Sequence, residues 1–172
     1  MIIRKIHIAI VAFFIVLCPF ESYGQTLQFN MNVQPELGVE VLQDLNFGTV
    51  VTNSGRHQIR LGNPQMGIFK IRALTAQSAI ITLRKPDHLT QSAGQDTTNI
   101  VPINLDAAYS SHTGNYQDVL PFANNELRIS LSGDNDKQVW DTGYVYIFGS
   151  LNIGDIPPGA YSAPLVLNVV YE

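Results

Sequence analysis

The run Leu27-Gln28-Phe29-Asn30-Met31-Asn32-Val33-Gln34 alternates apolar and polar side chains without a break. A period of two is the mark of a strand with one buried face, because successive side chains on a pleated chain point to opposite sides. The same rhythm returns at Leu127, Ile129 and Leu131, which alternate with Arg128, Ser130 and Ser132. Between these two stretches Pro35 and Gly38 interrupt the pattern, and Val39, Val41, Leu45 and Phe47 resume it in shorter form. Arg56 to Leu61 and Ile68 to Ala73 flank Gly62-Asn63-Pro64-Gln65-Met66-Gly67, whose turn formers suit a hairpin connection. Ser78 to Leu83 follows, carrying the β-branched Ile80, Ile81 and Thr82.

The polar stretch from Arg84 to Asn99 reads as a surface loop and Ile100 to Ala108 as the next strand. Ser110 to Gln117 reads as another loop, and Gly133 to Lys137 as a polar tip. Tyr144 to Ile153 is a long aromatic and branched run, and Tyr161 to Tyr171 a closing strand with Leu165, Leu167 and Val169 on one side. No window carries a 3.6-residue period with caps at both ends, so no helix beyond a short turn is expected. Eight or nine strands joined by turn chemistry predict an all-β, antiparallel sandwich or barrel in a single domain; unequal strand lengths favour the sandwich.

Composition narrows the function classes. Of 172 residues, 45% are hydrophobic and only 14% charged, which argues against disorder. A net charge of −4 argues against nucleic-acid binding, which needs a basic surface. The chain opens with Arg4 and Lys5, then an apolar run from Ile6 to Leu17 broken only by His7, then Ser22-Tyr23-Gly24. Positive charge, apolar run and small residues in that order predict a secretory signal peptide over residues 1–24, cleaved after Gly24, with a β-sandwich domain at 25–172. The apolar run is short for a membrane span, so no transmembrane anchor is expected in the exported chain. Cys18 is preceded by Leu17, where a lipoprotein signal prefers a small residue. It is the only cysteine, so the exported domain has no disulfide and relies on burying apolar area.

No nucleophile elbow, zinc helix or phosphate-binding glycine loop occurs, and no motif asks for a cofactor. His57, His88 and His112 stand alone in predicted strands or loops and do not make a metal-ligand pattern. Asp134, Asn135, Asp136 and Asp141 cluster around a loop tip but lack the glycine and distal Glu of a calcium loop, so they read as turn formers. No enzymatic activity is expected. Trp140 and Tyr144 have two readings: a strand-end pair capping the core, or a flat aromatic surface for a sugar ring in a carbohydrate-binding module.

Two further stretches are more specific: Asp44-Leu45-Asn46-Phe47-Gly48-Thr49-Val50, and Gly149-Ser150-Leu151-Asn152-Ile153 followed by Pro158-Gly159-Ala160-Tyr161-Ser162 and Val169-Val170-Tyr171-Glu172. In order and spacing they resemble an exported bacterial domain-of-unknown-function family related to spore coat protein U and to fimbrial subunits. The closing strand is also similar to that of pilins assembled by the chaperone and usher route, with Gly159 and Tyr171 at the matching places. The resemblance implies an immunoglobulin-like sandwich that pairs through strand edges with itself or with an assembly partner, Leu27, Phe29, Met31 and Val33 being suited to a donated strand. It places Leu45 and Phe47 in the core and Gly48 at a positive φ. The chain departs from the pilin pattern because only the short stretch from Val39 to Phe47 separates the candidate donor from the first motif. Leu27 to Val33 therefore also reads as the first strand of its own domain, Tyr171 as a half-buried terminal aromatic, and Gly159 as a turn glycine.

Overall fold

A computed structural model describes residues 37–75, 77–92, 99–131 and 139–172. The run from Leu27 to Val33, residues 1–24 and the acidic tip at 134–136 lie outside these described residues. The described chain is all-β. Its strands are β1 (Gly38–Gln43), β2 (Gly55–Ile59), β3 (Gly67–Leu74), β4 (Gln77–Arg84), β5 (His88–Gln91), β6 (Ile100–Ser110), β7 (Leu120–Pro121), β8 (Glu126–Leu131), β9 (Trp140–Ile153), β10 (Tyr161–Ser162) and β11 (Val166–Tyr171). All pair antiparallel. An eight-stranded sheet has the path β1-β3-β9-β6-β5-β10, with β2 also on β9 and β7 also on β6. A three-stranded sheet has the order β11-β4-β8. The arrangement is compatible with an immunoglobulin-like sandwich whose larger sheet is strongly curled.

The long β9 organises the large sheet. Its first half pairs with β3, its second half with β2, and its middle with β6. Val145, Ile147 and Leu151 turn inward from it, opposite inward Tyr109, Ala107 and Ile103 on β6. Val145 and Ile147 meet Ala79, Ile81 and Leu83 of β4 and Ile129 and Leu131 of β8 in the main core, while Leu151 packs with Val101 and Ile153 in a separate cluster. The small sheet is built as the alternation dictates: β4 is its centre, and Leu167, Val169 and Tyr171 of β11 lie opposite Leu83, Ile81 and Ala79.

Two glycines let the large sheet close tightly. A Cβ on Gly149 would overlap the Asn104 carbonyl oxygen and sit 2.9 Å from Leu105 Cα, so β6 and β9 approach there only because that atom is missing. A Cβ on Gly143 would fall within the Tyr109 ring, 2.7 Å from its Cζ; the buried phenol fills the space the glycine leaves.

Several boundaries differ from the sequence reading. The predicted loop from Arg84 to Asn99 contains β5, a four-residue strand held between β6 and β10. The closing run from Tyr161 to Tyr171 is two strands on different sheets, β10 and β11, because Ala163-Pro164-Leu165 carries the chain from one sheet to the other and Pro164 has no amide hydrogen to continue a ladder. β9 starts at Trp140 rather than Tyr144, and the strand around Val39 ends at Gln43, leaving Asp44 to Val50 without regular structure. Eleven strands stand among the described residues where eight or nine were expected.

Candidate functional site

The most exposed apolar surface of the sheet interior lies at β1. By register Val39 faces Ile71 and Val41 faces Phe69 on β3, so both valines point to the inner side of the sheet. Ile71 is 1% exposed, yet Val39 is 41% and Val41 56% exposed. Sandwich edges normally bury this face. On the outer side of the same strand, Glu40 pairs with Lys70 at 3.8 Å.

From Val41 an apolar groove of about 820 Å³ runs over the inner face of the large sheet. Its floor is built by Phe69 of β3, Ile103 and Leu105 of β6, and Ile147 and Leu151 of β9. One wall is the segment Gln43 to Val50. It is held by the Asn46 amide donating to the Gln65 carbonyl at 3.0 Å and the Gln43 side chain donating to the Pro64 carbonyl at 2.8 Å. The Gly48 amide donates to Asn46 Oδ1 at 2.8 Å, and Gly48 has φ 71°, the left-handed region where a side chain is disfavoured. Leu45 and Phe47 are half-buried on this wall.

The opposite wall is Ile156 together with Gly159 to Leu165. The Tyr161 hydroxyl donates to the Pro157 carbonyl at 2.9 Å, Gln91 Nε2 to the Pro158 carbonyl at 3.2 Å, and the Ser92 amide to the Ala160 carbonyl at 2.8 Å. A Cβ on Gly159 would overlap Gln91 Nε2, so the glycine admits the side chain that fastens this wall. Beyond Leu165 the chain enters β11, an edge strand whose one partner among the described residues is β4. Tyr171 lies on the inner face of that strand, half-buried, and its hydroxyl accepts the Leu74 amide at 2.8 Å.

Asp44 and Tyr161 are the ionisable side chains lining the groove. The site thus offers apolar floor, backbone at its rims and, at β1 and β11, two strand edges without a second partner among the described residues. This is the equipment for taking up an extended peptide: backbone groups pair at an edge while alternate side chains fill floor pockets.

The other predicted residues lie elsewhere. Trp140 and Tyr144 occupy the outer face of β9, four residues apart and so separated by roughly 13 Å along an extended strand. The Arg72 guanidinium sits over the Trp140 ring at 4.8 Å, so one face of that ring is already covered. Tyr144 packs against a second apolar cluster centred on Ile59, Met66 and Tyr146. His57, on β2, is 2.7 Å from Ser54 Oγ; His88, on β5, pairs with Asp87; His112 lies in the loop after β6. No group of three metal-ligating side chains occurs among the described residues. No helix among them is long and apolar enough to cross a membrane. In comparison with known proteins, the chain matches no protein-family model and no curated protein.

Proposed function

We propose that this chain is an exported, envelope-associated structural subunit with no catalytic role, assembled by strand addition into the apolar groove. The inserted strand is Leu27 to Val33 of a neighbouring copy, the fimbrial and coat-type arrangement that the sequence resembles. The observation that carries this reading is the exposure of Val39 and Val41, on the face of β1 that should be core. A strand presenting Leu27, Phe29, Met31 and Val33 from one face matches such a floor in period and character.

A neighbour's strand and a strand folded back within one chain both keep the apolar sets inward. In the second case a three-residue loop (residues 34–36, Val33 opposite Leu37) or a five-residue loop (residues 34–38, Val33 opposite Val39) preserves the parity. Concentration dependence separates the two.

The reading is tested by comparing the exported chain with the same chain lacking residues 25–36, and with Val39→Lys/Val41→Lys, by mass in solution over a range of concentrations. Expected are concentration-dependent assembly of the intact chain, its loss in the double variant, and rescue of the shortened chain's folding by a peptide spanning Thr26 to Pro35. A stable monomer at every concentration, unfolded by the deletion and not rescued by the peptide, would make Leu27 to Val33 a strand of its own domain and sink the proposal. Amino-terminal sequencing of the exported protein checks for a start at Gln25.

A further inference from the structure

The outer face of the large sheet carries a second, chemically different depression where β2, β9 and β6 lie side by side. Register brings three rows together. Gln58, Ser150 and Asn104 form one cross-strand line; Phe148 stands beside Asp106 in the next; Arg56 lies opposite Asn152 in the row beyond. Arg60 and Leu61 close one side, and the depression holds about 120 Å³. Three adjacent strands span about 10 Å, the breadth of a sugar ring with its hydroxyls.

The side chains of Arg56, Gln58, Arg60, Asn104, Asp106 and Ser150 have no hydrogen-bond or ion-pair partner among the described residues. Elsewhere in the molecule charges do find partners: Glu40 with Lys70 on the large sheet, and Arg128 with both Glu126 and Glu172 on the small one. Two guanidiniums, a carboxylate, two carboxamides and a hydroxyl thus gather around a half-buried Phe148, all but Ser150 at exposed positions where water is their partner until a ligand displaces it.

We infer that this depression binds a carboxylated saccharide, of the uronate class. Each part of such a ligand has its counterpart. Planar guanidiniums suit a carboxylate, which they bind through paired N–H donors. Gln58, Asn104 and Ser150 both donate and accept, as ring hydroxyls require, and Asp106 accepts from a hydroxyl. Phe148 and Leu61 offer apolar contact to the C–H face of the ring. A bare phosphate could accept from the arginines, the carboxamides and Ser150 but brings no C–H face for Phe148; a neutral sugar would meet the guanidiniums only through hydroxyls, without a charge partner. The site faces away from the groove, so it stands or falls independently of strand addition.

Titration of the full exported chain with trigalacturonate, maltotriose and inorganic phosphate, read by backbone amide shifts and calorimetry, decides the matter. Trigalacturonate is expected to shift the amides of Gln58, Asn104 and Ser150, with maltotriose weaker by roughly tenfold, the worth of one hydrogen bond to a charged group. Arg56→Gln and Arg60→Gln, both at exposed positions, should each weaken trigalacturonate by a similar factor without moving the melting temperature. The inference is overturned if none of the probes shifts these amides, if phosphate shifts them as strongly as the saccharide, or if the shifts fall around Trp140 and Tyr144 instead.

Discussion

At the scale of single residues, the structure leans on atoms that are missing as much as on those present. Gly149→Ala sets a methyl against the β6 backbone, which cannot step aside without opening the β6–β9 ladder. Gly143→Ala meets first the Tyr109 side chain, which is not backbone. Gly143→Ala should cost about 1–3 kcal/mol, the ordinary range for overpacking, and Gly149→Ala more; chemical denaturation midpoints rank the two. Tyr109 adds a pH signature. Burial, and secondarily the Asp141 charge, push its phenol from 10.0 up to about 12. A phenol whose proton is held more tightly when folded stabilises the native state fully below about pH 10, and that contribution drains away as pH climbs towards about 12. The loss is on the order of 2 kcal/mol, and a denaturation series across this window should show it in the parent and lack it in Tyr109→Phe.

At the scale of elements, β4 is the strand on which the small sheet depends, paired on both sides and carrying Ala79, Ile81 and Leu83 into the core. Ile81→Ala leaves a cavity there and should cost about 2–5 kcal/mol, whereas exposed Val170 on the edge strand β11 should tolerate alanine at a fraction of that; thermal melts distinguish them. This element was legible in the sequence, as were β3 and β8, because a strand with one wet face writes its alternation plainly. β5 was not: all four of its residues are half-buried, so no contrast exists to read. The first turn of β9 was hidden because Asp141 and Gly143 occupy inward positions where the pattern asks for apolar side chains. The break between β10 and β11 was hidden for the opposite reason, since alternation continues on both sides of Pro164. Of the groove, Leu45, Phe47 and Gly48 stood out as a motif, but their partners on β6 and β9 lie far along the chain. The polar depression left no local trace, because Arg56 and Asp106 become neighbours only when β9 is laid between their strands.

At the scale of the whole molecule, most pairings join segments remote in sequence: β2 and β3 with β9, and β4 with β11. Closing such loops precedes the gain from the contacts they make, so refolding from denaturant should take milliseconds to seconds, which stopped-flow fluorescence of Trp140 can follow. The two sheets also differ in how they would meet a mechanical pull. Among the described residues, β1 is the outermost strand on its side of the large sheet, and β11 is at the border of the small one. Tension applied ahead of β1 and behind β11 would therefore peel one lateral strand from each layer while β3, β9 and β6 stay zipped. A molecule wired in this way yields first at its seams, and it keeps a central template on which the loosened strands can re-form when the force is released.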